Sequence, residues 1–194
     1  MKIKVFYGRE IENIISDLAR LRIKVFHDYP YLYEGDFDYE KNYLKIYPQS
    51  KASSIVAVYD GEQMVGAASC LPLKDEAEYV KRPFEEASID INTIYYFGES
   101  VLLKEYRGRG IGNIFFEKRE EAATKFHYNV TAFCAVVREN EHPLRPKNYK
   151  PLDEFWIKRG YQKNENLISE FSWLDIGETI ETKKKMVYWM KNNL

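Results

Sequence analysis

The sequence predicts a mixed α/β (α+β) chain, a central mixed six- to seven-stranded sheet with helices on both faces. Short apolar alternations that read as strands are spread along the whole length, with helical periodicities between them. A glycine-rich segment, Tyr106-Arg107-Gly108-Arg109-Gly110-Ile111-Gly112, joins one such strand to a long helix.

Ile3, Val5 and Tyr7 alternate and Gly8 stops them, which gives a first strand. Between Ile11 and Phe26 the residues Ile11, Ile14, Ile15, Leu18, Leu21 and Val25 recur at helical spacing. The stretch Tyr29-Pro30-Tyr31-Leu32-Tyr33-Glu34-Gly35-Asp36 is irregular, and Asp38 to Tyr47 reads as a short helix. Strands over Ser54–Tyr59 and Glu62–Pro72 flank Asp60-Gly61, a strong two-residue hairpin signal. Lys74 to Phe84 is charged, a helix or a loop excursion. Ile94–Leu103 is the strand that feeds the Arg/Gly segment. Gly110 to Tyr128 is the long helix, with Ile111, Phe115, Ala122 and Phe126 on one face. Val130–Val137 is almost wholly apolar, as expected at a sheet centre. Leu152–Arg159 is a short helix ended by Gly160, and Phe171–Ile176 and Lys185–Met190 read as the last strands. No repeat, low-complexity tract or linker divides residues 1–194, so a single domain is expected.

Composition narrows the function classes. Hydrophobic residues at 45% and charged residues at 30% describe an ordinary globule. A formal net charge of −1 leaves no field that would gather nucleic acid. The start lacks an apolar signal core and no apolar run reaches spanning length, so a cytoplasmic protein with no membrane partner is expected. Cys70 and Cys134 lie in apolar runs without CxxC or Cys/His spacing, which favours buried thiols over a disulfide or a metal site. The 16 Tyr and 11 Phe are too many for one core, so some are expected to line a groove.

The Arg/Gly segment carries the most specific chemistry. Glycine reaches positive φ and lets main-chain N–H groups approach an anion, and the following helix N-terminus adds free donors. Arg107 and Arg109 add forked donors for phosphate. A P-loop would need Gly-Lys-Ser/Thr, and here Asn113-Ile114 follows the last glycine. A dinucleotide fingerprint would need GxGxxG, and the spacing is GxGxG, although Glu139 lies where a ribose-binding acid could sit. A capped surface turn and an RGRG-type nucleic-acid contact are the plainer alternatives.

Arg107-Gly108-Arg109-Gly110-Ile111-Gly112 fits, without a gap, the Arg/Gln-x-x-Gly-x-Gly/Ala pattern that follows a strand in the GNAT acetyltransferases. The chain resembles that family along most of its length: the order of elements matches, and Lys158-Arg159-Gly160-Tyr161 is similar to the family's segment after its short helix. The aromatic stretch from Tyr29 to Asp36 and His142-Pro143-Leu144-Arg145-Pro146 resemble those of a bacterial subgroup. The resemblance implies the acyl-CoA N-acyltransferase (GNAT) fold and acetyl-CoA as co-substrate, with no metal. It also implies a strand splayed from its neighbour, the pantetheine arm lying in the gap and paired with the main chain at Val101 and Leu102. Arg107, Gly108, Arg109, Gly110, Ile111, Gly112 and Asn113 would hold the pyrophosphate. The implied reaction is acetyl transfer to a primary amine of a small molecule or protein by direct attack. Where the family often has an acid tyrosine this sequence has Trp156, and Tyr149 and Leu152 replace the usual Asn and Ala. Indole is no usable acid, so a non-catalytic acyl-CoA-binding module is the alternative. A homodimer is left open.

Glu99, beside Gly98 on the strand before the loop, is the expected base, since partial burial would raise its pKa towards neutrality. Gly98 itself suits a bulge or a close backbone approach. Tyr149 could replace the missing acid. Cys134 could serve a ping-pong route, though a centre-strand cysteine is more often core, and His142 could reach the acceptor side. Tyr31, Tyr33 and Glu34, in the loop before the second helix, could hold a cationic acceptor by charge and cation–π contact.

Overall fold

The computed structural model describes residues 1–192. Seven strands form one sheet in the order β1-β2-β3-β4-β5-β7-β6. They are β1 (Lys2–Tyr7), β2 (Ser54–Asp60), β3 (Gln63–Pro72), β4 (Ile94–Leu102), β5 (Val130–Val136), β6 (Gln162–Trp173) and β7 (Thr182–Asn192). All neighbours are antiparallel except β4 and β5. The helices are α1 (Ile15–Phe26), α2 (Phe37–Tyr43), α3 (Ile46–Gln49), α4 (Glu78–Glu86), α5 (Ile111–Lys125) and α6 (Asp153–Lys158). None is long and apolar enough to cross a membrane among the described residues.

Strand alternation sends successive side chains to opposite faces, and β4 illustrates the result. Phe97 packs on Phe116 of α5, in an aromatic layer completed by Phe133, Tyr161 and Trp189. Tyr96 points the other way, towards Tyr188 and the face covered by α1 and α4. Between them β4 carries one residue more than β3: Cys70 opposes Phe97 and Ala68 opposes Ser100, so Gly98 and Glu99 together face Ser69. This is a β-bulge, and it turns the Glu99 side chain towards α1. Glycine is required here, because a Cβ at Gly98 would lie 2.2 Å from Tyr47 Oη and 2.7 Å from Ser69 Oγ. The buried Arg119 on α5 secures the bulge from the other side. Its Nη1 donates to the Glu99 carbonyl at 3.3 Å, while the guanidinium lies over the Phe97 ring.

The strand that positions the site departs from its neighbour. Among the described residues β4 and β5 pair only over Ile94↔Val130, Tyr95↔Thr131 and Tyr96↔Ala132, leaving the remainder of β4 without a strand partner on that side.

Several boundaries differ from the sequence expectation. The first helical run begins as a 3-10 turn, Gly8–Ile14, before α1. The second expected helix is broken into α2 and α3, and Lys74–Phe84 divides into a 3-10 turn, Leu73–Asp75, and α4. The largest difference is β6, which starts at Gln162 rather than Phe171. Gln162-Lys163-Asn164-Glu165-Asn166 is polar because this is an edge strand, and a bulge between Asn164 and Ile168 interrupts any alternation.

Candidate active site

The splay of β4 from β5 sets the site. Its α1-side wall begins at Glu99, which is 5% exposed. Glu99 Oε2 accepts from Arg22 Nη1 at 2.6 Å and from Tyr47 Oη at 3.2 Å, and Oε1 is buried without a hydrogen-bond partner. Arg22 also pairs with the buried Glu40 of α2. Burial opposes the Arg22 charge, but Glu99 and Glu40 more than offset it, so the guanidinium is held well above its ordinary pKa as a fixed cation. Arg22 was not singled out from sequence. Its signal is its place on the apolar face of α1, four residues after Leu18 and beside Leu21.

Across the opening, Cys134 on β5 meets Tyr96 Oη at 3.1 Å. Burial pushes the Cys134 thiol up to about 12 and the Tyr96 phenol well above its usual range. A thiol so shifted is almost fully protonated near neutrality and is a poor nucleophile. Glu76, which follows the 3-10 turn after β3, also belongs to this region. It is 4% exposed, and burial, reinforced by the charge of Glu99, pushes its carboxyl up to about 7. Sequence reasoning missed Glu76 because it sits in a charged run that reads as solvated surface.

The segment from Tyr29 to Asp36 folds over the same face. Tyr31 lies between Phe26 and Trp173, with ring centroids 4.5 and 6.0 Å away. Its pKa is raised by burial and then by Cys134, which puts Tyr31 beside the opening. Tyr33 is half-buried, feels the Glu40 charge and forms a β-bridge with Asp175, while Glu34 points to solvent and is held by its main chain to Leu174. The clamp on this segment is Arg138, just past β5. Nε donates to the Pro30 carbonyl at 2.7 Å, Nη2 to the Tyr31 carbonyl at 2.6 Å, and the fork binds both oxygens of Asp175. Burial works against the Asp175 charge, but Arg138 and Lys184 outweigh it and hold the carboxyl below its ordinary value.

The far end of β4 leads into the Arg/Gly turn. Gly108 and Gly110 have φ of 76° and 79°, and a Cβ on either would meet nothing within 4 Å, so backbone angle rather than space selects glycine. Gly110 is the N-cap of α5 with no side-chain cap, so the first N–H groups of that helix face outward without a side-chain acceptor. Arg107 and Arg109 are exposed on the turn, Arg107 Nε reaching the Leu102 carbonyl at 3.2 Å and Arg109 the Glu105 carbonyl at 2.8 Å. Asn113 Oδ1 accepts from Arg159 at 3.0 Å. Ile111 is buried and anchors the helix start, and Gly112 lies 3.6 Å from the Phe155 ring, measured from an added Cβ. Leu103 N–H donates to Val65 on β3, so the Leu102 main chain faces the opposite, open edge of β4. Val101 is buried and paired with Ala67.

A splayed parallel pair, a bulged strand and a left-handed glycine turn at a helix start are all in place, and the sequence match decides what they belong to. Residues 13–145 match the model of the acetyltransferase (GNAT) family. The chain belongs to the GNAT acetyltransferase family. It is an acetyltransferase by that membership, in a family that uses acetyl-CoA, and its seven-stranded, mostly antiparallel sheet is the GNAT fold. No curated protein matches it in sequence. Among solved structures it is similar to a ribosomal-protein-alanine N-acetyltransferase from Brucella melitensis, with 14% identity over 99% of each chain and a TM-score of 0.62. It is also similar to an aminoglycoside 6'-N-acetyltransferase complexed with coenzyme A, at 15% identity, 100% of this chain, 98% of that one and a TM-score of 0.60. An N-acetyltransferase from Staphylococcus aureus Mu50 gives 10% identity over the whole of both chains and a TM-score of 0.61.

The short helix α6 carries Trp156. Trp156 is packed against Phe133 and Trp189, at 5.0 and 5.1 Å, and serves the aromatic layer. Tyr149 is half-buried against Tyr29 at 4.6 Å, with Arg145 over its ring, and its charge would act on Tyr31. His142 accepts from the Leu144 N–H and packs near Tyr29.

Proposed function

We propose that the chain is a single-domain N-acetyltransferase that moves the acetyl group of acetyl-CoA to a primary amine, of a small molecule or a protein, by direct attack. The observation that carries this reading is the splay of β4 from β5, which opens one strand edge between the glycine turn and the buried Glu99. The pantetheine arm lies along the main chain at Val101 and Leu102; Val101 is paired with Ala67 on β3, so Leu102 supplies the open edge, where its carbonyl already accepts from Arg107 Nε. Arg107, Gly108, Arg109, Gly110, Ile111, Gly112 and Asn113 cradle the pyrophosphate, with free N–H groups from α5 and charge from the two arginines. An N–H on the splayed edge is suited to hold the oxyanion.

Glu99 is the catalytic carboxylate that receives the acceptor amine. Tyr149, whose hydroxyl is kept protonated by burial and by Tyr29, donates towards the departing thiolate. Tyr31, Tyr33 and Glu34 line the acceptor side. Direct attack is favoured over a cysteine-bound intermediate because Cys134 is shifted up to about 12. The three named neighbours, all N-acetyltransferases, support an amine acceptor, and the coenzyme A complex of the aminoglycoside enzyme supports acetyl-CoA as donor.

Calorimetry with coenzyme A and thiol release over a panel of primary amines test the reading together. Micromolar binding and amine-dependent release are expected. Binding without release for any amine would leave only the acyl-CoA-binding module, and no binding would remove both. Glu99→Gln is expected to lower turnover while leaving CoA affinity nearly unchanged. Equal turnover would take Glu99 out of the mechanism.

A further inference from the structure

We propose that Glu76 and Glu99 together form the acceptor-ammonium subsite, in which Glu99 holds the cation and Glu76 takes its proton. The inference rests on the N-acetyltransferase reading and names a second carboxylate for it. Glu76 Oε2 accepts from the Ala77 N–H at 3.1 Å, just as Glu99 Oε2 is engaged by Arg22 and Tyr47. The remaining oxygen of each, Oε1, is buried and has no hydrogen-bond partner among the described residues. An unsatisfied buried carboxylate oxygen is costly, and each of these two calls for a donor from outside the chain, with the Glu99 charge acting on Glu76. A primary ammonium brings a positive charge and three N–H donors, which matches two such oxygens.

The surroundings favour a cation. Besides Glu99, the charges acting on Glu76 are Arg22 on α1, which opposes its protonation, and the adjacent Asp75, which promotes it. Tyr43 of α2, Tyr79 of α4, Tyr96 of β4 and Tyr188 of β7 each feel the Glu76 charge. Burial keeps all four phenols neutral, as it does Cys134, so they present aromatic faces and dipoles rather than competing anions. The roles of the two carboxylates divide on their partners. Protonating Glu99 would strip the buried Arg22 of an anion, whereas among the described residues Glu76 has no ion-pair partner to strand. Its carboxyl, near 7, is matched to accept a proton at neutral pH.

In the step this implies, the ammonium N–H bond breaks and its proton passes to Glu76 as the amine lone pair is freed. The lone pair forms the C–N bond at the thioester carbonyl. The C–S bond then breaks, the thiolate keeps the electron pair, and the second nitrogen proton ends on sulfur, directly or through Tyr149. Glu76 returns its proton to solvent.

The test compares the pH dependence of kcat/KM for the best amine in the wild type, Glu76→Gln and Glu76→Asp. The wild type is expected to show an acid-side inflection near 7, and Glu76→Gln to lose it together with roughly 100-fold in kcat/KM. CoA affinity should stay within about twofold, and Glu76→Asp should recover part of the rate. A Glu76→Gln enzyme with the wild-type rate and profile overturns the proposal. Should no amine be acetylated, the reading beneath it fails separately, and carboxyl carbon NMR of labelled glutamate still decides the subsite. A Glu76 resonance that titrates near neutrality and moves on addition of 1,4-diaminobutane supports it, and one that does neither overturns it.

Discussion

At the scale of single residues, the opening is built by side chains that would be poor choices on stability grounds alone. Arg22, Glu40, Glu76 and Glu99 are all buried, and Arg22 alone serves two of the carboxylates. Removing Arg22, Glu40 or Glu99 strands the other members of that ion-paired set, so each of these three is fixed by its neighbours. Gly98 is the smallest case. The bulge around it aims Glu99 at α1, and Tyr47 Oη occupies the space a side chain would need. Gly98→Ala is therefore expected to cost about 1–3 kcal/mol by overpacking and to displace Glu99 from Arg22. Urea denaturation reads the first effect and amine turnover the second, and an unchanged midpoint with unchanged turnover would refute the assignment.

At the scale of elements, two segments were legible to very different degrees. The glycine turn was readable because it is local: positive φ at Gly108 and Gly110 and the start of α5 follow from residues adjacent in the chain. Arg107→Ala with Arg109→Ala should weaken coenzyme A binding by about 10- to 100-fold, since each exposed guanidinium supplies one charge-assisted contact of about 1.5 kcal/mol or less. Isothermal titration at two salt concentrations checks this, and the loss should shrink at high salt. The loop from Tyr29 to Asp36 was readable only as aromatic and acidic. Its conformation is imposed by Arg138 and Asp175, residues more than a hundred positions away, through a buried fork and two carbonyl contacts. The polar strand β6 escaped the sequence for a related reason, because an edge strand that is half solvated has no hydrophobic period to detect.

At the scale of the whole molecule, the site should leave a mark on stability. Glu76 has a folded pKa near 7 against about 4.3 unfolded, so the folded state binds the extra proton between those values. Stability then falls as pH rises from about 4.5 to about 7. Asp175 acts in the opposite sense: its folded pKa is depressed, so its contribution is present above about 3.9 and is lost as pH falls through the folded value. Thermal melts of the wild type from pH 4 to 8 should therefore decline between about pH 4.5 and 7 and level off above. Glu76→Gln should flatten that decline and be more stable at pH 8 by up to roughly 3 kcal/mol. Parallel melting curves for the two proteins would contradict the Glu76 shift.

What the sequence alone determined is what depends on neighbours in the chain: the alternation of strands and helices, the bulge-prone Gly98, the Arg/Gly turn with its family pattern, and a hairpin whose two-residue turn falls at Gly61-Glu62, one residue beyond the expected Asp60-Gly61 because Asp60 pairs with Gln63. Backbone preference and periodicity are short-range, so a single sequence carries them. Only the tertiary structure decided that β4 and β5 part after three paired residues, that Arg22 holds Glu99, and that Glu76 shares the burial of Glu99. These outcomes depend on desolvation and charge brought together from α1, β3, β4 and β5. A charged residue that reads as surface in the sequence becomes chemistry only once folding has removed its water.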